Sequence, residues 1–338
     1  MDSVELILYN YLNSFFNNEA EKSLFNSNNL SEIYDLESED WSSAENKFKQ
    51  LFPYQNPQLA ELHIRLYESA SAVIKELFNT IDSTTFVFSV TEHPTINNCF
   101  EMLKNKEILH YDTVQSLDID SLINKIKNSG CSKVFIYLTG IIETHVLSQE
   151  FCIQLKQALI DIDIPHTIIL DDVQGMFIIP RDYSLFDYVI YTCHSLVPNF
   201  DCGVLLTKDN NYPGCINAKI IEQYLLPLNL VLSKLNKFNT LIGLIKQYLI
   251  KELNTGYFNI PNDSMPMILY LNLDESGKKI FARYKNTLEE YKIEVGDRAI
   301  QIKMNFLLLN PPEKIIEGLK ILKEGLQKSI KFKNRFEQ

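Results

Sequence analysis

Three short segments hold the residue types that could do chemistry. They are Thr91-Glu92-His93-Pro94, Asp171-Asp172-Val173-Gln174-Gly175 and Tyr191-Thr192-Cys193-His194-Ser195, the last followed by Pro198 and Gly203. A carboxylate closing a strand can accept hydrogen bonds or face a cation, and an imidazole can carry a proton. A fourth segment, Tyr67 to Lys75, carries the hydroxyls of Ser69 and Ser71. Each has a plain structural alternative as well. A strand-end aspartate can cap a helix, Ser69 and Ser71 can be N-caps, His93 before Pro94 can belong to a capping region, and His194 can be a satisfied buried histidine.

These segments need a frame to bring them together. Strand-like runs FVFSV (86–90), ILHY (108–111), KVFIYL (133–138), TIILDD (167–172), YVIYT (188–192) and GVLLT (203–207) alternate with helical patterns. The helical patterns cover Leu62–Phe78, a stretch through Phe100 and Leu103, Ile119–Ile126 and Ser148–Leu159. This alternation predicts an α/β protein with a mostly parallel, doubly wound sheet. Ligands of such sheets bind at the carboxyl ends of the strands, where the Glu92, Asp171 and His194 segments all fall. After residue 215 the chain becomes Leu-rich and helical, then resumes as MILYLNL, a helix near 277–290, IQIKMNFLLL and a final helix. The expected division is an N-terminal arm (1–60), a large domain (61–212), and connecting helices with a small α+β domain (213–338).

Composition removes several function classes. The 338 residues include 11 glycines, about half of ordinary usage, and the first is Gly130. Neither a P-loop nor a G-x-G-x-x-G turn can therefore lie in the first third. A net charge of −11 argues against nucleic acid and anionic membranes, and the basic run Lys328–Arg335 complements the dipole of the last helix. Six cysteines show no C-x-x-C pair and no zinc spacing, so no metal site is expected and free thiols in a reducing compartment are. The N-terminus lacks the basic region of a signal peptide, and no apolar run reaches the roughly 18 residues of a membrane span. A cytoplasmic protein is expected.

The order of the motifs resembles the fold type I pyridoxal-phosphate (PLP) enzymes, and in particular their class V branch of cysteine desulfurases and relatives. The resemblance runs from residue 60 to 330 in outline. By that likeness, His93 stacks on the cofactor ring, Asp171 pairs with its pyridinium nitrogen, and Gln174 contacts its hydroxyl. Tyr67-Glu68-Ser69-Ala70-Ser71-Ala72 is similar to the family's S-G-A-T-x-A turn, so Ser69 and Ser71 are implied as phosphate ligands. Tyr54-Gln55-Asn56-Pro57 resembles the family's Y-G-N-P. The small-domain strand implies a cationic grip on a substrate carboxylate, for which this chain offers Lys303 and Arg298. A homodimer is implied too.

Two departures change the expected chemistry. The family's S-x-H-K segment reads Thr192-Cys193-His194-Ser195 here, with His194 and Gly203 in register and a serine where the cofactor-linking lysine belongs. A hydroxyl cannot form a Schiff base. No cysteine follows Cys215, which disfavours desulfurase activity. The expectation is a degenerate or non-standard member that holds PLP or pyridoxamine phosphate (PMP) without a covalent bond, with His194 and Ser195 as acid/base groups. It would act on a small amino-acid-like or phosphate-containing ligand. The alternative is a non-catalytic scaffold that binds a partner or another small ligand.

Overall fold

A computed structural model describes residues 3–26, 46, 48–50, 61–80, 85–89, 96, 98–99, 107–111, 118–142, 145–175, 178–198, 200, 202–209, 211–212, 218–250, 267–296 and 299–336. The chain forms two compact units, one from Asn28–Leu226 and one from Met1–Ser27 together with Pro227–Gln338. Two helices, α1 (Ser3–Asn13) and α2 (Glu19–Asn26), open the chain.

The larger unit is built on a seven-stranded sheet. Its strands are β1 (His63–Tyr67), β2 (Thr85–Ser89), β3 (Glu107–Tyr111), β4 (Val134–Thr139), β7 (His166–Asp171), β8 (Tyr188–Thr192) and β9 (Gly203–Thr207), while β5 (Ile141–Ile142) and β6 (His145–Val146) make a small separate hairpin. The order across the large sheet is β1-β9-β8-β7-β4-β2-β3. Every neighbouring pair from β8 to β3 is parallel, and β9 alone runs against both its neighbours. All five residues of β9 are buried, as are five of six in β4. Such unbroken apolar strands are what a sheet covered on both faces requires. The expected mostly parallel α/β sheet is therefore present.

Helix α3 (Ala70–Thr80) packs on β1, β8 and β9. Its Val73, Ile74 and Leu77 share one buried cluster with Phe135, Tyr137, Ile169, Ile190 and Leu205 of the sheet. Helices α4 (Ile119–Ser129) and α5 (Gln149–Asp161) pack against each other, each started by a side-chain cap, Asp118 and Ser148. One sequence expectation is corrected here. The span Leu62–Phe78 is not a single helix: residues 63–67 form β1, paired antiparallel with β9. The segment HIRLY buries Ile64 and Leu66 on alternate positions, and pairing with β9 outweighs the apolar spacing that it shares with the helix.

The second unit contains a three-stranded antiparallel sheet, β10 (Ile268–Asn272), β12 (Ala299–Lys303) and β11 (Ile293–Val295) in that order. The part of helix α6 (Ala218–Ser233) from Pro227 onward leads into α7 (Leu235–Ile250), and α8 (Glu275–Phe281), α9 (Lys285–Glu290), α10 (Met304–Leu307) and the long α11 (Pro312–Phe336) complete the unit. This is the expected small α+β domain, with one difference at the N-terminus. Residues 3–26 are part of this unit's core rather than an arm: α1 packs on α7 and α11, and Leu8, Leu12, Phe15 and Phe25 are buried. Polar ties reinforce the apolar face. Tyr11 Oη donates to the Lys237 carbonyl (2.9 Å), Glu5 pairs with Lys320 (2.9 Å), and Glu21 pairs with the buried Lys234 (2.8 Å).

Leu8→Ala should destabilise this unit by about 2–5 kcal/mol, the usual cost of emptying a fully buried leucine site. Urea unfolding checks this, and an unchanged midpoint would mean that residues 3–26 are an appendage after all.

Candidate functional site

The strand ends line up along one edge of the large sheet. Thr139 at the end of β4 pairs with Asp171 at the end of β7, and Asp171 pairs with Ile190 of β8. Two residues on, Thr192 pairs with Gly203, which in turn pairs with Tyr67 at the end of β1. Because β9 is antiparallel, its first residue lies among the last residues of its neighbours. From Asp171 to Tyr67 the edge crosses three strand intervals, roughly 14 Å.

At one end of this row the chain leaves Tyr67, turns at Glu68 and Ser69, and starts α3. Ser69 is the N-cap: its Oγ accepts from the Ala72 N–H (3.2 Å), and its carbonyl accepts from Ala72 and Val73. Ser71 lies in the first turn, half-buried. The turn sits directly on Gly203. A Cβ there would run into the Ser69 carbonyl and come within 2.6 Å of the Ala70 nitrogen, so no side chain fits. The start of α3 is thereby drawn onto the edge of the sheet.

At the other end stands Asp171, buried, its carboxylate on the α3 side of the sheet. Tyr137 Oη donates to Oδ2 (2.5 Å) and the Val173 N–H to Oδ1 (3.2 Å). Burial pushes this carboxyl up to about 6, and the two hydrogen bonds only partly oppose the shift. Among the described residues the one charge that acts on it, Asp172, pushes the same way as burial, and no basic side chain offsets it. A buried carboxylate without a cation is a site for one.

Asp172 turns away and is matched. Arg181 Nε and Nη2 donate to its two oxygens at 3.1 and 3.0 Å, with both side chains almost wholly enclosed. Burial alone would lower the Arg181 guanidinium, but the Asp172 carboxylate outweighs it and holds it above its ordinary value. Nearby, Tyr183 and Tyr191 share a buried hydroxyl–hydroxyl hydrogen bond of 2.8 Å, and burial raises both phenols.

The segment that follows β8 is a 3₁₀ turn, Cys193–Ser195, tied back by the Cys193 N–H to the Cys202 carbonyl (2.8 Å). Ser195 Oγ donates to the Thr192 carbonyl (2.8 Å). His194 is exposed, which corrects its reading as a buried histidine. Gln174 is half-buried in the turn after Asp171. In the smaller unit Lys303 is paired with Glu294 (3.0 Å) and lies over the Phe306 ring. His93 and Arg298 lie outside the described residues. The edge thus brings Ser69, Ser71, Asp171, Gln174 and Ser195 onto one unit.

No family model matches the chain, and no curated protein matches it in sequence. Solved structures do. A NifS-like protein from Rickettsia africae is similar at 14% identity, over 90% of this chain and 89% of its own, with a TM-score of 0.62. A PLP-bound C-S lyase from Staphylococcus hominis is similar at 14% identity, over 91% and 88%, with a TM-score of 0.61. Serine palmitoyltransferase from S. paucimobilis, solved with a PLP–myriocin aldimine, is similar at 10% identity over 95% and 86%, with a TM-score of 0.60. The chain has the fold of the fold type I PLP-dependent enzymes.

Within that fold the donor set fits part of the cofactor. Asp171 suits a protonated ring nitrogen, because it is a buried carboxyl that among the described residues faces no basic side chain. The start of α3, seated on Gly203, offers a helix N-terminus to a phosphate. Position 195 offers no amine. Residue reasoning missed Tyr137, Arg181 and the pairing of Asp172. Tyr137 had a signal: a phenol inside the apolar run VFIYL must find a partner for its hydroxyl. Arg181 had none, since nothing in its spacing shows that it reaches back nine residues.

The raised carboxyl has a testable sign. A folded value near 6 against an ordinary unfolded value near 3.8 means that stability is fully present below pH 4 and is lost as pH rises through 6, by about 3 kcal/mol. Asp171→Asn removes this loss. Urea unfolding of both proteins at pH 4 and pH 7 should show the variant gaining on the wild type by that amount, and parallel pH profiles would contradict the assignment.

Proposed function

We propose that this protein binds PLP or PMP at the carboxyl edge of its large sheet without a covalent bond to the chain. The observation that carries this reading is the buried carboxylate of Asp171 at the end of β7, which among the described residues faces no basic side chain. When bound, such a cofactor supplies an electron sink through its protonated ring. Asp171 holds the proton on the ring nitrogen, and Tyr137 and Val173 hold Asp171. The first turn of α3, with Ser69 and Ser71, receives the phosphate through its N-terminal backbone, since the Ser69 hydroxyl already caps the helix. Gln174 contacts the ring hydroxyl and His93 stacks on the ring, as the resemblance implies.

Ser195 cannot replace a lysine as a covalent anchor, so ordinary Schiff-base transamination through this position is not part of the proposal. The exposed His194 beside it is the group assigned to carry protons for a small amino-acid-like or phosphate-containing ligand. Carboxylate recognition by Lys303 requires it to exchange Glu294 for the ligand, which leaves Arg298 as the other candidate. A homodimer in the cytoplasm completes the proposal. Five cysteines outside any disulfide among the described residues are compatible with that setting.

One observation favours a second reading, a non-catalytic scaffold. The hydroxyls of both Ser69 and Ser195 are directed at the protein's own backbone. Calorimetry and absorbance with added PLP and PMP separate the two readings. The proposal expects saturable binding, no covalent adduct in the mass spectrum after borohydride, and at least a tenfold loss of affinity in Asp171→Ala. If neither compound binds, the scaffold reading stands.

A further inference from the structure

The geometry points to Arg181 as a positioning residue for Asp171, acting through a latch that ties the β5–β6 hairpin to the end of β7. Its guanidinium makes four hydrogen bonds. Two go to the Asp172 carboxylate, one to the Leu147 carbonyl (2.6 Å) and one to the Gly140 carbonyl (3.1 Å). Gly140 and Leu147 flank the hairpin and are bonded to each other, Leu147 N–H to Gly140 carbonyl at 2.8 Å. One side chain therefore grips both ends of the hairpin and the residue next to Asp171.

Two routes lead from this latch to Asp171. The Gly140 N–H donates to the Asp171 carbonyl (2.7 Å), and Asp172 follows it in the chain, its N–H bonded to the Ile190 carbonyl of β8 (2.9 Å). The seat is specified by residue choice. A Cβ on Gly140 would run into the Asp172 carboxylate and lie 2.9 Å from Arg181, and one on Gly175 would lie 2.7 Å from the Asp172 Cγ. In a chain with 11 glycines, two are placed where only hydrogen leaves room for this pair. A buried ion pair adds little net stability over an apolar pair of equal volume, so its four-bond geometry is better explained by what it orients.

Among the described residues, the titratable and charged groups facing Asp171 are Tyr137 from β4 and Asp172 from its own turn, with Arg181 neutralising the latter. Arg181→Lys keeps the charge but loses the planar two-point grip and the carbonyl bonds. With the strand end loosened, water reaches Asp171, and its titration moves from near 6 toward the ordinary carboxylate value. The experiment measures the effect of Asp171→Asn on unfolding at pH 4 and pH 7, in the wild-type and Arg181→Lys backgrounds. The expected result is that the pH-dependent effect shrinks at least tenfold, expressed as an equilibrium constant. A protein that is less stable but titrates as before would make the latch a structural brace only and overturn the inference.

If Arg181→Lys does not fold, Asp172→Asn/Arg181→Gln keeps hydrogen-bonding groups at both positions, and Asp172→Asn alone separates the effect of its charge. In the double variant the Gly140 and Val173 amides should exchange with solvent ahead of global unfolding, and protection equal to wild type would overturn the inference. The consequence for cofactor rests on the function proposed above: PLP affinity should fall about tenfold in Arg181→Lys. Failure of PLP to bind the wild type would sink that function while leaving the titration and exchange results to decide the latch.

Discussion

The carboxylate of Asp171 is buried with two hydrogen bonds and, among the described residues, no cation beside it. Burial of an ionised group is costly, and a phenol and one backbone amide offset only part of the cost. A sequence selected for stability alone would place an apolar residue or an amide there. Much of the surrounding structure follows from keeping this group in place. Tyr137 must sit in the middle of β4 with its hydroxyl aimed across to β7, and the turn after Asp171 must return the Val173 amide to it. The neighbouring carboxylate must also be neutralised so that two negative charges do not share one pocket. Arg181 does the last.

Glycine usage follows the same logic. The chain has few glycines, and three of those described mark close approaches in this region. Gly203 lets the start of α3 lie on β9, while Gly140 and Gly175 make room for the Asp172–Arg181 pair. In this region the missing Cβ makes room for backbone or for a buried charge. The start of α3 beside this sheet edge is a helix start capped by Ser69 rather than a glycine-rich loop.

The large sheet was legible because its strands are continuous apolar runs separated by helical periods, and period is the strongest signal a sequence carries. β1 was not, because HIRLY has apolar positions compatible with either period, and only its antiparallel partner β9 decides between them. Residues 1–26 were misread from the polar tract that follows them; their own apolar face, Leu8, Leu12 and Phe15, finds its core in a unit whose other residues begin two hundred positions later. The place of Asp171 at a strand end was legible from the apolar run that it closes. Tyr137 and Arg181 act through distances that sequence spacing does not encode, and Ser69 turned out to have its hydroxyl engaged as a cap. A serine hydroxyl at position 195 cannot form a Schiff base, and its bond to the Thr192 carbonyl shows where that hydroxyl is held.

The central claim is that Asp171 is placed to hold a protonated ring nitrogen. Nitrogen-15 NMR of ring-labelled PMP bound to the full-length protein tests it directly. The account predicts a ring nitrogen that stays protonated above the pH at which free PMP loses that proton in the wild type, and that reverts to free-solution behaviour in Asp171→Ala. A ring-nitrogen signal that titrates as it does in free solution in the presence of the wild-type protein would contradict it.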